Sequence, residues 1–432
     1  MSQTHTLLLA LPLALACSNT DAEHGEMRAM EPTEQLAQRS SEEWDSNFPS
    51  QADLAILLDV LDEPIIDVNT RDANGDSLFP RGWLNTVQAA FENTEVEDAI
   101  QLENRYEDWR LVSARISPCA PIGIRPQDEM DTWCWPIVRL VWQPVIEDFR
   151  VSWGTHTDFY ADDRAVHALY PVAPRGLNGN RIDGHWREVV TEYLAAGNDP
   201  DTLPNRMQEG FKAVRDASAL ALLNAVQELR DPSLPLNAYD DLDVRPELAP
   251  GLDTDEAEQF PTKLTAFLSE FAPWTDLQEM TAFSLPEGRN PAGSDMWVFV
   301  GFEGNNGFPR IKDLNVIGRS SGQELVNMGA SQSVAVGVED VEVQEAIARG
   351  NRELEDSLII SEQDIAAIGP DMADPYEFLV PNTSCASCHR LNGLRFDFHS
   401  LSGFEDRGIT VSPRVNKDVA RDLIWTRSNL TP

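Results

Sequence analysis

Lysine is nearly missing from this chain: four of its 33 basic residues are lysine (Lys212, Lys263, Lys312, Lys417) and the rest are arginine. Basic charge of either kind is outnumbered, 33 against 72 acidic residues, giving a formal net charge of −39. Neutralisation of phosphates supplies most nucleic-acid affinity, so this charge argues strongly against a nucleic-acid partner. It fits instead a heavily solvated exterior. Long apolar runs are also scarce. Leu7 to Ala16 (LLLALPLALA) covers ten residues, and nothing else approaches the ~20 that a membrane-spanning helix needs. Cysteine is limited to five residues, and only one C-x-x-C occurs, so no second pair completes a zinc site. No methionine follows His389.

What is present near the C-terminus is Cys385-Ala386-Ser387-Cys388-His389. In a C-x-x-C-H pentapeptide the two thiols form thioethers to the vinyl groups of a haem, and the adjacent imidazole reaches the iron as proximal ligand. A redox dithiol is the competing reading of C-x-x-C. That motif ordinarily follows a strand and opens a helix, whereas Pro381-Asn382-Thr383-Ser384 precedes this one. The expected cofactor is one covalent haem c, with metal ligation by His389.

Covalent haem of this type is attached outside the bacterial cytoplasm, so the motif demands an export signal. Leu7–Ala16 has the length of a signal-peptide h-region, and Ala14-Leu15-Ala16 fits a small-residue cleavage site directly before Cys17. The segment resembles the signal of a bacterial lipoprotein. That resemblance implies lipid on Cys17 and, with Ser18 next, an outer-membrane or periplasmic place in the cell envelope, with the membrane reached through the N-terminal lipid. If Cys17 carries lipid and Cys385 and Cys388 carry haem, Cys119 and Cys134 remain. They flank a proline-bearing excursion between two strand-like runs, so a disulfide closing the end of a hairpin is expected, with two separate buried thiols as the alternative.

The chain divides as a signal peptide (1–16), a lipid-anchored polar tether (17–50), an α+β body (51–380) and a haem segment (381–432). Ser18 to Ser50 holds eight acids against two arginines and few apolar residues, the composition of a disordered tether. In the body, alternation and β-branched or aromatic residues predict strands at Trp109–Ile116, Trp135–Val145, Phe149–Trp153 and Val166–Val172, assembled as an antiparallel sheet. Helices are expected over His185–Leu194 and Asn205–Arg230, the second with a stripe of Phe211, Val214, Ala221, Val226 and Leu229. The Pro- and Asp-rich stretch 231–254 reads as a long loop or as a linker between two lobes. Strands follow at Met296–Phe302, Ile311–Ile317 and Val334–Val338, with a turn at Glu303–Gly307 and a helix over Val341–Leu354. The fold class is therefore α+β, an antiparallel sheet-rich body with several helices and the haem segment packed against it.

Two weaker patterns are set aside. Asp72-Ala73-Asn74-Gly75-Asp76 has its glycine too early for a calcium loop, at position four where position six is needed, and Trp83 where the twelfth-position carboxylate belongs, so an Asx turn is the better reading. His156, Asp158, Asp162, Asp163 and His167 are more simply surface residues of an acidic protein than a metal site.

The haem segment resembles c-type cytochromes in its pentapeptide and little else, with 43 residues left after His389. A small cytochrome c usually runs a helix into the motif and supplies a methionine later; here Pro381 stands in the way and the methionine is missing. His399 is the sole histidine or methionine downstream, ten positions on, far enough to pass round a haem edge at ~3.3 Å per residue. His399 is the distal ligand taken forward, with Met372, Met328 or an open iron as alternatives. From Arg390 to Pro432 six arginines and one lysine face five carboxylates, a locally basic end of an acidic chain. Arg390, Arg395, Arg407 and Arg414 are candidates to pair with haem propionates. Single-electron transfer with an unidentified redox partner protein is the expected role. A peroxidase-like enzyme or gas sensor with an open iron, or a partner-binding lipoprotein with auxiliary haem, is the alternative, and no residue of the body stands out as catalytic.

Overall fold

Two long runs of aromatic and β-branched residues form the centre of the molecule. The computed structural model describes residues 48–58, 64–92, 106–122, 132–148, 158–161, 165–175, 190, 192–193, 202–249, 251–252, 254–284, 298–312, 314–316, 319–321, 326–327 and 413–430. Strands β1 (Ala55–Leu57), β2 (Trp109–Pro121), β3 (Cys134–Asp148), β4 (Asp158–Ala161), β5 (Ala165–Pro171), β6 (Glu279–Ser284), β7 (Val298–Asn305), β8 (Phe308–Lys312), β9 (Leu314–Val316), β10 (Arg319–Ser321) and β11 (Val326–Asn327) carry the sheets. The principal sheet runs β1-β2-β3-β5-β6-β7-β11, with β4 on β3 and β8 on β7, and β9 with β10 forms a separate pair. Every strand pairing is antiparallel. The helices are α1 (Gln51–Leu54), α2 (Arg81–Glu92), α3 (Asn205–Gln227), α4 (Asp255–Phe271) and α5 (Pro413–Asn429). The architecture is thus α+β with a sheet-rich antiparallel body.

Period-two alternation sends Ala114 and Ile116 of β2, Val138, Leu140 and Trp142 of β3, Val166, Ala168 and Tyr170 of β5, Met280 and Ala282 of β6, and Val300 and Phe302 of β7 into one core. Trp83, Leu84 and Val87 of α2, Leu222, Leu223 and Val226 of α3, and Phe260, Leu264 and Phe267 of α4 pack into it. Phe79 stacks on both Trp109 and Trp142, with ring centroids 5.6 and 5.0 Å away. Residues 48–50, assigned from composition to the tether, belong to the folded body: Arg230 Nη2 donates to the Phe48 carbonyl (3.1 Å).

Cys119 and Cys134 form a disulfide, their Cα atoms 4.9 Å apart, at the end of the β2–β3 hairpin. Both are buried, beside Ala219 of α3 and Trp425 of α5. The bond closes a loop of 15 residues, which in the chain-entropy model contributes ~3 kcal/mol. Replacing both cysteines with alanine is expected to lower the urea midpoint by an amount equivalent to that. An unchanged midpoint would show that the loop is already confined without the bond.

The helix expected over Asn205–Arg230 is α3, but its buried stripe runs through Phe211, Arg215, Ser218, Ala219, Leu222, Leu223 and Val226, with Val214 and Ala221 at its margin. Arg215 enters the stripe because its guanidinium has partners there: Nη1 donates to the Thr132 carbonyl (2.6 Å), and the group lies over the Trp425 ring at 5.1 Å. Stretch 231–254 is folded onto the body. Arg245 N donates to the Leu57 carbonyl (3.0 Å), Tyr239 and Arg245 are buried, and strands from before and after it, β5 and β6, are neighbours in the sheet. The turn expected at Glu303–Gly307 is narrower, with β7 continuing to Asn305. Asn306 and Gly307 take φ of 51° and 79°, the paired positive values of a two-residue hairpin turn. Gly304 lies within the strand because a Cβ there would run into the Leu277 carbonyl. Helix α4 and strand β6 had no sequence-based expectation. The expected strands at Phe149–Trp153 and Val334–Val338 and the helix over Val341–Leu354 lie outside the described residues, as does most of His185–Leu194. Among the described residues, no helix is long and apolar enough to cross a membrane.

Candidate functional site

Cys385, Cys388, His389, Arg390, Arg395, His399 and Arg407 lie outside the described residues, as do Met328, Met372 and Cys17. Arg414 and the helix that follows it are described, and they show how the end of segment 381–432 meets the body.

Helix α5 contacts β2 and α1. Val419 and Leu423, four positions apart and so on one helical face, join the main core. Trp425 covers the disulfide. The polar side of this contact is set by strand register. Arg115 of β2 stands opposite Arg139 of β3, Arg139 opposite Leu169 of β5, and Leu169 opposite Glu279 of β6. Directly paired residues project to the same face, so two arginines stand side by side, an arrangement that is destabilising unless an anion intervenes.

Helix α5 supplies two anions one turn apart. Asp422, with no exposed side-chain surface, accepts from Arg115 Nη2 (2.6 Å) and Arg421 Nη2 (3.1 Å). Asp418 accepts from Arg414 Nε (3.3 Å) and lies 3.8 Å from Arg421 Nη1. Burial pushes the Asp418 carboxyl upward, but Arg414, Arg421, Arg115 and Arg139 together outweigh it and hold the pKa below the usual carboxylate value. A carboxyl depressed on folding contributes stability that is fully present above its unfolded pKa and is lost as pH falls through the folded one. This contact between helix and sheet therefore weakens on acidification.

Arg139 differs from its neighbours. Its Nε is buried and has no hydrogen-bond partner, and no salt bridge to it occurs among the described residues. Burial lowers its pKa, with Asp418 opposing, Arg115 and Arg414 reinforcing and Glu279 opposing. Around it the charges are four arginines (115, 139, 414, 421) and three carboxylates (279, 418, 422). The site is locally cationic in a strongly acidic chain.

Asp72–Asp76 forms a local turn. Asp72 Oδ1 accepts from the backbone N–H of Asn74 (2.8 Å) and Asp76 (2.8 Å), the bonding of an Asx turn, with Gly75 at φ +84°. No group of three or more His, Cys, Asp or Glu residues able to hold a metal ion occurs among the described residues. His167 lies on β5, while His156, Asp162 and Asp163 are outside those residues.

The disulfide removes Cys119 and Cys134 from the available thiols, leaving Cys385 and Cys388 as a pair and Cys17 apart from them. The clasp of Arg115 and Arg421 with Asp418 and Asp422 was not anticipated. Its signals were the i, i+4 aspartates at 418 and 422 and single arginines within otherwise apolar strands, and neither is specific until the strands are in register. No family model, curated protein or solved structure matches this chain.

Proposed function

We propose that the protein is an exported, c-type cytochrome-like lipoprotein that carries one haem c and passes single electrons at the cell envelope to or from a redox partner protein. The observation that carries this reading is Cys385-Ala386-Ser387-Cys388-His389 in a chain whose Leu7–Ala16 segment fits an export signal. The disulfide supports it, since such bonds persist in oxidising compartments of the kind where haem is covalently attached. Lipid on Cys17 would hold the protein at the membrane, provided more than one acyl chain is attached, because a single chain binds only marginally.

Bound haem would supply a one-electron couple at iron. The chain's own contribution is to fix and tune it. Cys385 and Cys388 would hold the group through thioether bonds, His389 and His399 would be its protein ligands, and Arg390 and Arg395 would pair with its propionate carboxylates. Two histidine ligands would suit outer-sphere transfer, because they would exclude small ligands and disfavour bond-making chemistry.

His399→Ala is expected to retain haem but gain water-sensitive, high-spin absorption in the oxidised form and bind carbon monoxide in the reduced form. A variant whose low-spin spectrum is unchanged and which still excludes carbon monoxide would remove His399 from the iron and direct attention to Met372 or Met328. A wild-type protein that already binds carbon monoxide would favour an open-iron enzyme or sensor.

A further inference from the structure

We propose that the Cys119–Cys134 bond is a thiol–disulfide exchange site, at which the thiolate of an external reductant attaches to Cys119 and Cys134 leaves, with helix α5 as the cover that has to lift first. Haem has no part in it.

The two sulfurs differ in their surroundings. Arg215 Nη1 lies 3.7 Å from Cys134 Sγ and donates to the Thr132 carbonyl at 2.6 Å. The guanidinium keeps an excess of positive charge there. Its Nε and Nη2 donate to Asp216 Oδ1 (2.9 and 2.7 Å), but the same carboxylate also pairs with Lys212 Nζ at 2.6 Å, so two cations share one anion. A cation beside a thiol lowers its pKa, and the sulfur whose thiol has the lower pKa leaves faster in exchange. Cys134 is therefore the leaving group, and attack falls on Cys119. Backbone geometry points the same way. Cys134 is paired with Pro121 and Trp135 with Ala120, after which the register slips until Ser117 meets Ile137. Cys119 falls within that irregularity. A bulge locally disrupts the ladder, so Cys119 shifts at less cost than Cys134.

Both cysteines are buried, 2% and 0% exposed, so exchange needs an opening. They pack with Ala219 of α3 and Trp425 of α5, and the Arg215 guanidinium lies 5.1 Å from the centroid of the Trp425 ring. Helix α3 is anchored in the main core by Leu222, Leu223 and Val226 and against Trp133 and Trp135 by Phe211. Helix α5 is held by Val419, Leu423 and the Asp422–Arg115 pair, and is the element that opens. Lifting α5 uncovers Cys119, and by linkage a reduced pair loosens the seat of Trp425.

The reductant's thiolate bonds to Cys119 Sγ as the S–S bond breaks, and Cys134 Sγ departs as a thiolate beside Arg215. A second thiolate of the reductant then displaces Cys119, so the reductant leaves as its own disulfide and the protein gains both electrons.

The experiment treats native full-length protein with reduced glutathione, traps free thiols with N-ethylmaleimide and maps the adducts by peptide mass spectrometry. Glutathione on Cys119 with maleimide on Cys134 is the expected product. In urea, where Arg215 no longer sits beside Cys134, adducts should form at both cysteines. Arg215→Gln is expected to lower the native rate about threefold or more and to spread the adduct over both cysteines. Asp422→Asn weakens the seat of α5 and leaves Trp425 and Arg215 in place; it should raise the rate about tenfold or more, with Cys119 still the site.

Native adducts on Cys134, or on both cysteines equally, would overturn the assignment, and so would a native protein that glutathione does not modify. An Asp422→Asn rate equal to wild type would overturn the role of α5 as cover. Should Arg215→Gln fail to fold, the adduct site in the wild type alone decides.

Discussion

Replacing Asp53 with alanine is expected to destabilise the body by about 3–5 kcal/mol, the range seen when one partner of a buried ion pair is removed. Asp53 has no exposed side-chain surface and lies between two arginines. Arg230 Nε lies 3.1 Å from both of its oxygens and Arg230 Nη2 pairs with Oδ2, while Arg245 Nη1 donates to Oδ1 at 3.0 Å. Asp53 Oδ2 also accepts from the Ser50 N–H (2.7 Å), capping α1. The network extends outward. Arg245 Nε donates to Glu247 (2.9 Å), and the Tyr239 hydroxyl donates to the same carboxylate (2.7 Å). Burial, reinforced by that bond to Glu247, pushes the Tyr239 hydroxyl well above its ordinary pKa, so it remains a donor throughout the accessible range.

Alanine at position 53 would leave the Arg245 guanidinium, which has no exposed side-chain surface, with one carboxylate in place of two, and it would release Arg230. The loss should reach beyond the site because the same residues tie the chain entry at 48–54 to the 231–254 stretch and the end of α3. Urea unfolding followed by tryptophan fluorescence checks this. A loss below about 1 kcal/mol, the ordinary range for exposed pairs, would mean that water reaches the carboxylate.

The second large effect concerns attachment. Cys385→Ala combined with Cys388→Ala is expected to abolish covalent haem completely, since no other C-x-x-C exists and Cys119 is bonded to Cys134. Either single substitution leaves one thioether possible and should reduce haem retention without eliminating it. The body should keep its sheet signal and its Cys119–Cys134 disulfide, since neither substituted cysteine takes part in that bond. Retention of covalent haem by the double variant would show that the thioethers form elsewhere.

Much of the sheet was legible because it depends on local pattern. Trp109–Ile116 and Trp135–Val145 alternate strongly and carry β-branched and aromatic residues, and the spacing of Cys119 and Cys134 with prolines between them marked the hairpin end. Helix α4 was hidden by Pro261 in its interior, which usually argues against a helix. The N-cap that could have marked it is Thr254, whose hydroxyl accepts from Ala257 N–H at 3.0 Å. The stripe of α3 was misplaced because a sequence reading counts apolar residues only, whereas Arg215 and Ser218 are buried on that face with polar partners. Arg115, Asp53 and Asp422 were invisible for a related reason. A buried charge is recognised by its partner, and the Arg115–Asp422, Arg230–Asp53 and Arg245–Asp53 pairs each join distant parts of the chain, brought close only by register and helix docking. The haem motif is the reverse case, since its chemistry is carried by five consecutive residues.

The most direct test of the haem reading is whether haem stays with the polypeptide when the fold is destroyed. Full-length protein from an envelope fraction of a host that matures c-type cytochromes would be denatured, extracted with acidified organic solvent and run on a gel stained for haem peroxidase activity. A stained band at the mass of the mature chain, unchanged by extraction, is the predicted result. A haem that partitions wholly into the solvent, or a chain that never carries haem, would contradict it.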